Sequence, residues 1–91
     1  MLKSLQDIIR ETVRKGKVLG AIGVAPTILA SADVLTGIRA TAYLTERERL
    51  MQAGAVYTGF PVEKERLIIT ATGPTAAIQF GRAIADALTV K

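Results

Sequence analysis

The sequence predicts an α/β domain with a mainly parallel sheet flanked by helices, and three observations predict it. Apolar helical faces and short apolar runs alternate along the chain, the pattern of a parallel sheet covered by helices. Hydrophobic residues make up 49% of the 91 residues and aromatic residues only 4%, so Ala, Val, Leu and Ile must build the core. Lys17 to Pro26, KVLGAIGVAP, reads as a buried strand running into a sharp turn and then a helix. One domain over residues 1–91 is all that this length supports.

Residues 4–15 open the chain as an amphipathic helix. Leu5, Ile8, Ile9 and Val13 share one face, Ser4 is placed to cap the start, and Gly16 follows the basic end Arg14-Lys15. Val18 to Ile22 is the first strand. Gly23 then stands where the chain must turn, and Pro26 where a first helical residue belongs; this helix runs to Ala32. A second strand covers Ile38 to Ala42, after Gly37. Thr45 and Glu48 match a capping box for a short helix ending near Gln52, which accounts for Glu46 and Glu48 without acid-base chemistry. Ala55 to Tyr57 forms a brief strand, Gly59 and Pro61 break the pattern, and Glu63 to Arg66 reads as a polar turn. Leu67 to Ala71 is an apolar strand. Gly73-Pro74 starts a last helix, Pro74 to Leu88, whose small-residue side (Ala77, Gly81, Ile84, Ala85 and Leu88) is expected to face the sheet.

Composition excludes several functions for this segment. The 91 residues contain no Cys and no His, which removes disulfides, thiolate or imidazole metal ligands, and Cys or His catalysis. Ser31 and the threonines accordingly have no His to serve as base. The net charge of +4 is scattered, without an aromatic-basic face, so nucleic-acid binding is not expected. No apolar run approaches a membrane span and no signal-peptide pattern opens the chain, so a cytoplasmic protein is the expectation.

The order of these motifs resembles the second half of the ThiJ/PfpI family, in its Parkinsonism-associated deglycase-like branch within the class I glutamine-amidotransferase-like superfamily. The residues that carry the likeness are Ala21-Ile22-Gly23-Val24-Ala25-Pro26, Leu35-Thr36-Gly37, Arg39-Ala40-Thr41, Ala53-Gly54-Ala55, and Leu67-Ile68-Ile69-Thr70 followed by Gly73-Pro74, with Phe80 in the last helix. The resemblance runs from about Leu2 onward. It implies a partial flavodoxin-like three-layer sandwich, and a pocket at the positions of Gly23, Val24, Tyr43, Gly73 and Pro74. Full-length members act as deglycase or glyoxalase-like enzymes, chaperones or peptidases.

Two departures from the family pattern matter more than the matches. Gly23 occupies the position of the family's reactive cysteine, so no side chain is there to activate. The family's first half, with the acidic partner of that cysteine, has no counterpart in these residues. Tyr43 stands where members carry His or Tyr. The expectation is therefore a half-domain with no catalytic residues, no cofactor and no metal, acting as a structural or interaction protein. An unpaired sheet edge points to a homo-oligomer or to docking on a separately encoded first-half chain. The alternatives are a subunit of a two-chain deglycase-, glyoxalase- or peptidase-like enzyme, and a small anion or metabolite binder. For Gly23 itself, main-chain N–H groups holding an anion compete with a simpler role, relief of the backbone strain of such a turn.

Overall fold

A computed structural model describes residues 3–89. Ser4 begins the first helix, α1 (Leu5–Arg14), through a reciprocal cap: Asp7 N–H donates to Ser4 Oγ at 3.1 Å, and Ser4 N–H donates to the Asp7 carboxylate at 3.4 Å. Gly16, at φ +69°, reverses the chain after it. Then follow β1 (Leu19–Ile22), α2 (Pro26–Ser31), β2 (Arg39–Ala40), α3 (Arg47–Gln52), β3 (Val56–Tyr57), β4 (Val62–Glu65), β5 (Ile68–Ala71) and α4 (Ala77–Thr89).

The strands form two groups rather than one continuous ladder. β5 is central in a three-stranded sheet, parallel to β1 and antiparallel to β4, while β2 and β3 form a separate parallel pair. Side chains connect the groups where main-chain pairing does not. The Thr41 N–H donates to Thr70 Oγ1 at 2.9 Å, and the Arg39 N–H donates to Glu65 Oε1 at 2.7 Å. These bonds satisfy two strand-edge donors that would otherwise lack partners. Arg39 also holds the Glu65 carboxyl below its usual range, chiefly through that main-chain bond.

The core is as aliphatic as the composition requires. Ile9 of α1, Leu29 and Ala30 of α2, Leu35, Ile38, Ala40, Leu50 of α3 and Ile68 of β5 pack in one buried cluster. All four residues of β5 are buried, as expected of a strand paired on both edges and covered on both faces. On its other face β1 meets α4 at Gly20. A Cβ there would lie 2.9 Å from Ile84 Cδ1 and 3.1 Å from Phe80 Cζ, so the missing side chain lets the helix approach.

Three expectations are corrected. Residues 63–65 lie in β4, not in a turn; the turn is confined to Arg66 and Leu67, with Arg66 at φ +56°. The charged residues Glu63, Lys64 and Glu65 disguise this strand, yet β4 pairs along its length with β5. The Thr45–Glu48 capping box does not form, because Leu44–Glu46 make a 3-10 turn and Thr45 Oγ1 donates to Glu46 instead. The face that α4 turns inward carries Phe80, Ala83, Ile84 and Ala87, whereas Gly81 meets open space and Leu88 is exposed. The closest approach, that of Phe80 and Ile84, is permitted by Gly20 on the strand. Among the described residues no helix is long and apolar enough to cross a membrane.

Candidate functional site

Three segments distant in sequence converge at the C-terminal ends of β1 and β5. Gly23 follows β1 and donates its N–H to the Ala71 carbonyl at 3.0 Å. Its own carbonyl accepts from the Tyr43 N–H at 3.0 Å, which ties the chain after β2 to the turn. Gly73 follows β5 and precedes the 3-10 turn Pro74–Ala76 that leads into α4. Ile22, Gly23, Val24, Tyr43, Gly73 and Pro74 line an open depression of about 250 Å³. The five residues singled out in the sequence thus come together, and Ile22 joins them. As the last residue of a strand entering the turn, Ile22 was findable from position alone.

The aromatic ring of Tyr43 organises this depression. A Cβ on Gly23 would lie 3.2 Å from Tyr43 Cε2, on one edge of the ring. A Cβ on Gly73 would lie 3.1 Å from Cζ and would overlap Cε1, on the opposite edge. Two glycines therefore flank one ring, and the ring takes space that side chains at those positions would need. Gly23 also adopts φ +72°, a conformation that costs other residues roughly 1–2 kcal/mol.

The chemistry available here is narrow. Tyr43, 40% exposed, supplies the only side-chain hydroxyl among the lining residues, which otherwise contribute aliphatic surface and main chain. The Gly23 N–H, a candidate anion donor in the sequence, is committed to Ala71. Strain relief is what its geometry displays. Among the described residues no group of three or more acidic, Cys or His side chains is placed to hold a metal ion.

A parallel strand pair whose C-terminal ends carry a left-handed glycine turn and a Gly-Pro helix start marks an α/β protein with a depression at its strand ends. The chain belongs to the DJ-1/PfpI family, whose pattern it matches over residues 1–87. It is 36% identical over 86 residues to an uncharacterized protein of Methanocaldococcus jannaschii, covering 92% of this chain and 42% of that protein. To protein dj-1beta of Drosophila melanogaster it is 32% identical over 85 residues, covering 93% and 46%. The crystal structure of the Drosophila protein superposes with a TM-score of 0.87 over 96% of this chain and 47% of that one. A glutathione-independent glyoxalase of Caenorhabditis elegans is 27% identical, with 90% and 44% covered. The chain spans less than half the length of these curated relatives.

Proposed function

We propose that this segment is a non-catalytic DJ-1/PfpI-like module with a structural or interaction role, in a cytoplasmic setting. The observation that carries the reading is the glycine at φ +72° on the turn, in a segment with neither Cys nor His. A nucleophile turn strains its backbone in order to project a reactive side chain; here the strained geometry persists and the side chain does not. The interaction role is supported by β1, which among the described residues pairs through one edge only, leaving main-chain groups open to another strand. The partner in this reading is a second copy or a separately encoded first-half chain.

Two measurements test it. Methylglyoxal incubated with the purified chain is expected to disappear no faster than in a protein-free blank; turnover above the blank overturns the non-catalytic reading. Light scattering across concentrations is expected to give a discrete oligomer, or a monomer that forms a defined complex when a family first-half chain is added. A folded monomer indifferent to both contradicts the interaction role.

A second reading is this segment as one chain of a two-chain deglycase/glyoxalase- or peptidase-like enzyme, with acid and nucleophile supplied by the partner; the name of the Caenorhabditis elegans relative supports its glyoxalase form alone. Activity that appears only in the reconstituted complex favours it. A third, a small anion or metabolite binder at the depression, rests on the convergence of Gly23, Val24, Tyr43, Gly73 and Pro74. Saturable changes at those residues on adding phosphate or a small carboxylate favour that one.

A further inference from the structure

The opposite, N-terminal ends of β1 and β5 hold a second cavity, of different character. Val13, Gly16, Lys17, Arg66, Leu67 and Ile68 enclose about 170 Å³. Ile68 is buried and Val13 and Leu67 are half-buried, while Lys17 and Arg66 are exposed. The wall is therefore aliphatic and the mouth cationic. An apolar cavity of about 150 Å³ accommodates a benzene ring, so this one has room for a single small ring or a short branched chain.

Among the described residues the two cations are free of close ion pairs, although the Arg66 charge adds a small part to the lowering of the neighbouring Glu65 carboxyl. Glu11, the nearest acid on α1, is engaged by Lys3, Arg14 and Lys15. Glu65, beside Arg66 in sequence, is engaged by Arg39 through both its main-chain N–H and its guanidinium. Among the described residues neither Lys17 nor Arg66 takes part in an ion pair. Arg66 moreover sits at φ +56° in a two-residue hairpin turn, a position where Gly or Asn would relieve strain. A guanidinium is held in strained backbone at the rim of an aliphatic slot, a combination that hairpin geometry does not require.

We propose that this cavity binds a small carboxylate of about the size of benzoate, with its apolar body against Val13, Leu67 and Ile68 and its carboxylate between Lys17 and Arg66. Charge-assisted contacts to two cations set the orientation, and the aliphatic wall rejects inorganic anions, which have no apolar body to bury. The site is independent of the depression at Gly23 and of the function proposed for it.

The test is an NMR titration of the full chain with sodium benzoate at constant ionic strength. Saturable shifts centred on Val13, Lys17, Leu67 and Ile68 are expected. Benzyl alcohol, nearly the same shape without the charge, should bind at least about tenfold more weakly. Arg66→Asn, which keeps the left-handed turn accessible and the fold intact, should lose about tenfold in benzoate affinity. Equal binding of benzoate and benzyl alcohol overturns the proposal. So does unchanged affinity in Arg66→Asn, a non-saturating response, or shifts centred on Gly23 and Tyr43.

Discussion

The two ends of the β1–β5 pair solve opposite packing problems. At the C-terminal end, Gly23 and Gly73 withhold side chains so that the Tyr43 ring can lie against both strands' exits. At the N-terminal end, side chains are present but do not fill the space, and Lys17 and Arg66 border a cavity of about 170 Å³. At one end atoms are removed to seat a ring beside an open depression, and at the other side chains surround a smaller, more enclosed space. The contrast teaches that left-handed backbone does not have one meaning in this fold. At Gly23 it is relieved by glycine, and at Arg66 it is tolerated by a long cation.

The sharpest way to break the contrast is to add a methyl group at the C-terminal end, beside the Tyr43 ring. Gly73→Ala places a Cβ into Tyr43 Cε1, with main chain fixed on one side and a ring held at Gly23 on the other. Overpacking of this kind costs about 1–3 kcal/mol, and the upper part of that range is expected in chemical denaturation. Gly73→Ala combined with Tyr43→Ala should recover part of the loss; if it recovers none, the ring is not what excludes the methyl group.

Gly23→Ala is the next largest effect. Its φ of +72° penalises any β-carbon by roughly 1–2 kcal/mol, while the 3.2 Å approach to Tyr43 Cε2 asks the ring to move only slightly. Backbone strain should therefore dominate, so Gly23→Asn is expected to be milder than Gly23→Ala despite its greater bulk. The reverse order would show that packing against Tyr43, not φ, makes glycine necessary there.

How much of this was legible follows from where the information lay. The helix from Ser4, the strand into Gly23 and the strand into Gly73-Pro74 were readable because caps, glycines and apolar runs are local signals. β4 was not, because Val62-Glu63-Lys64-Glu65 has the composition of a turn and becomes a strand only by pairing with β5. Arg66, in the left-handed region, lacks the Gly or Asn that usually announces such a hairpin. The inward face of α4 was misread for a related reason: the small residue that permits close approach is Gly20, on the strand. The depression at Gly23 came from resemblance to a family, since no spacing rule joins Gly23, Tyr43 and Gly73. The cavity at Lys17 and Arg66 had no sequence signal, being formed between α1's end and a hairpin far along the chain.

At the N-terminal end, relief of strain gives a smaller effect of opposite sign. Arg66→Gly should raise stability by up to about 1 kcal/mol if the left-handed penalty outweighs the flexibility glycine adds to the unfolded chain. A thermal melt that moves down instead would mean the Arg66 side chain contributes contacts that offset its backbone.

The smallest effect belongs to the charges on α1 that leave Lys17 unneutralised. The Glu11 carboxyl is held down at about 2 by hydrogen bonds from Lys3 first and Lys15 second, with their charges adding to the effect. Its ordinary value is 4.5, so the folded state favours the ionised form. Stability from this group is fully present above about pH 4.5 and is lost as pH falls toward 2, through the folded value. Because Glu11 is half-exposed and its partners are exposed, added salt should shrink the effect. Glu11→Gln is expected to flatten the pH dependence of the melting temperature between those limits, lowering it slightly near neutrality, where the ion pairs act, and leaving it unchanged near pH 2. The substitution also frees Lys15 and Lys3, adding positive charge to the helix that leads into Lys17. Benzoate affinity should then rise slightly at low salt and not at high salt. Affinity that falls would place Glu11 in the cavity's architecture, not merely in its electrostatic surroundings.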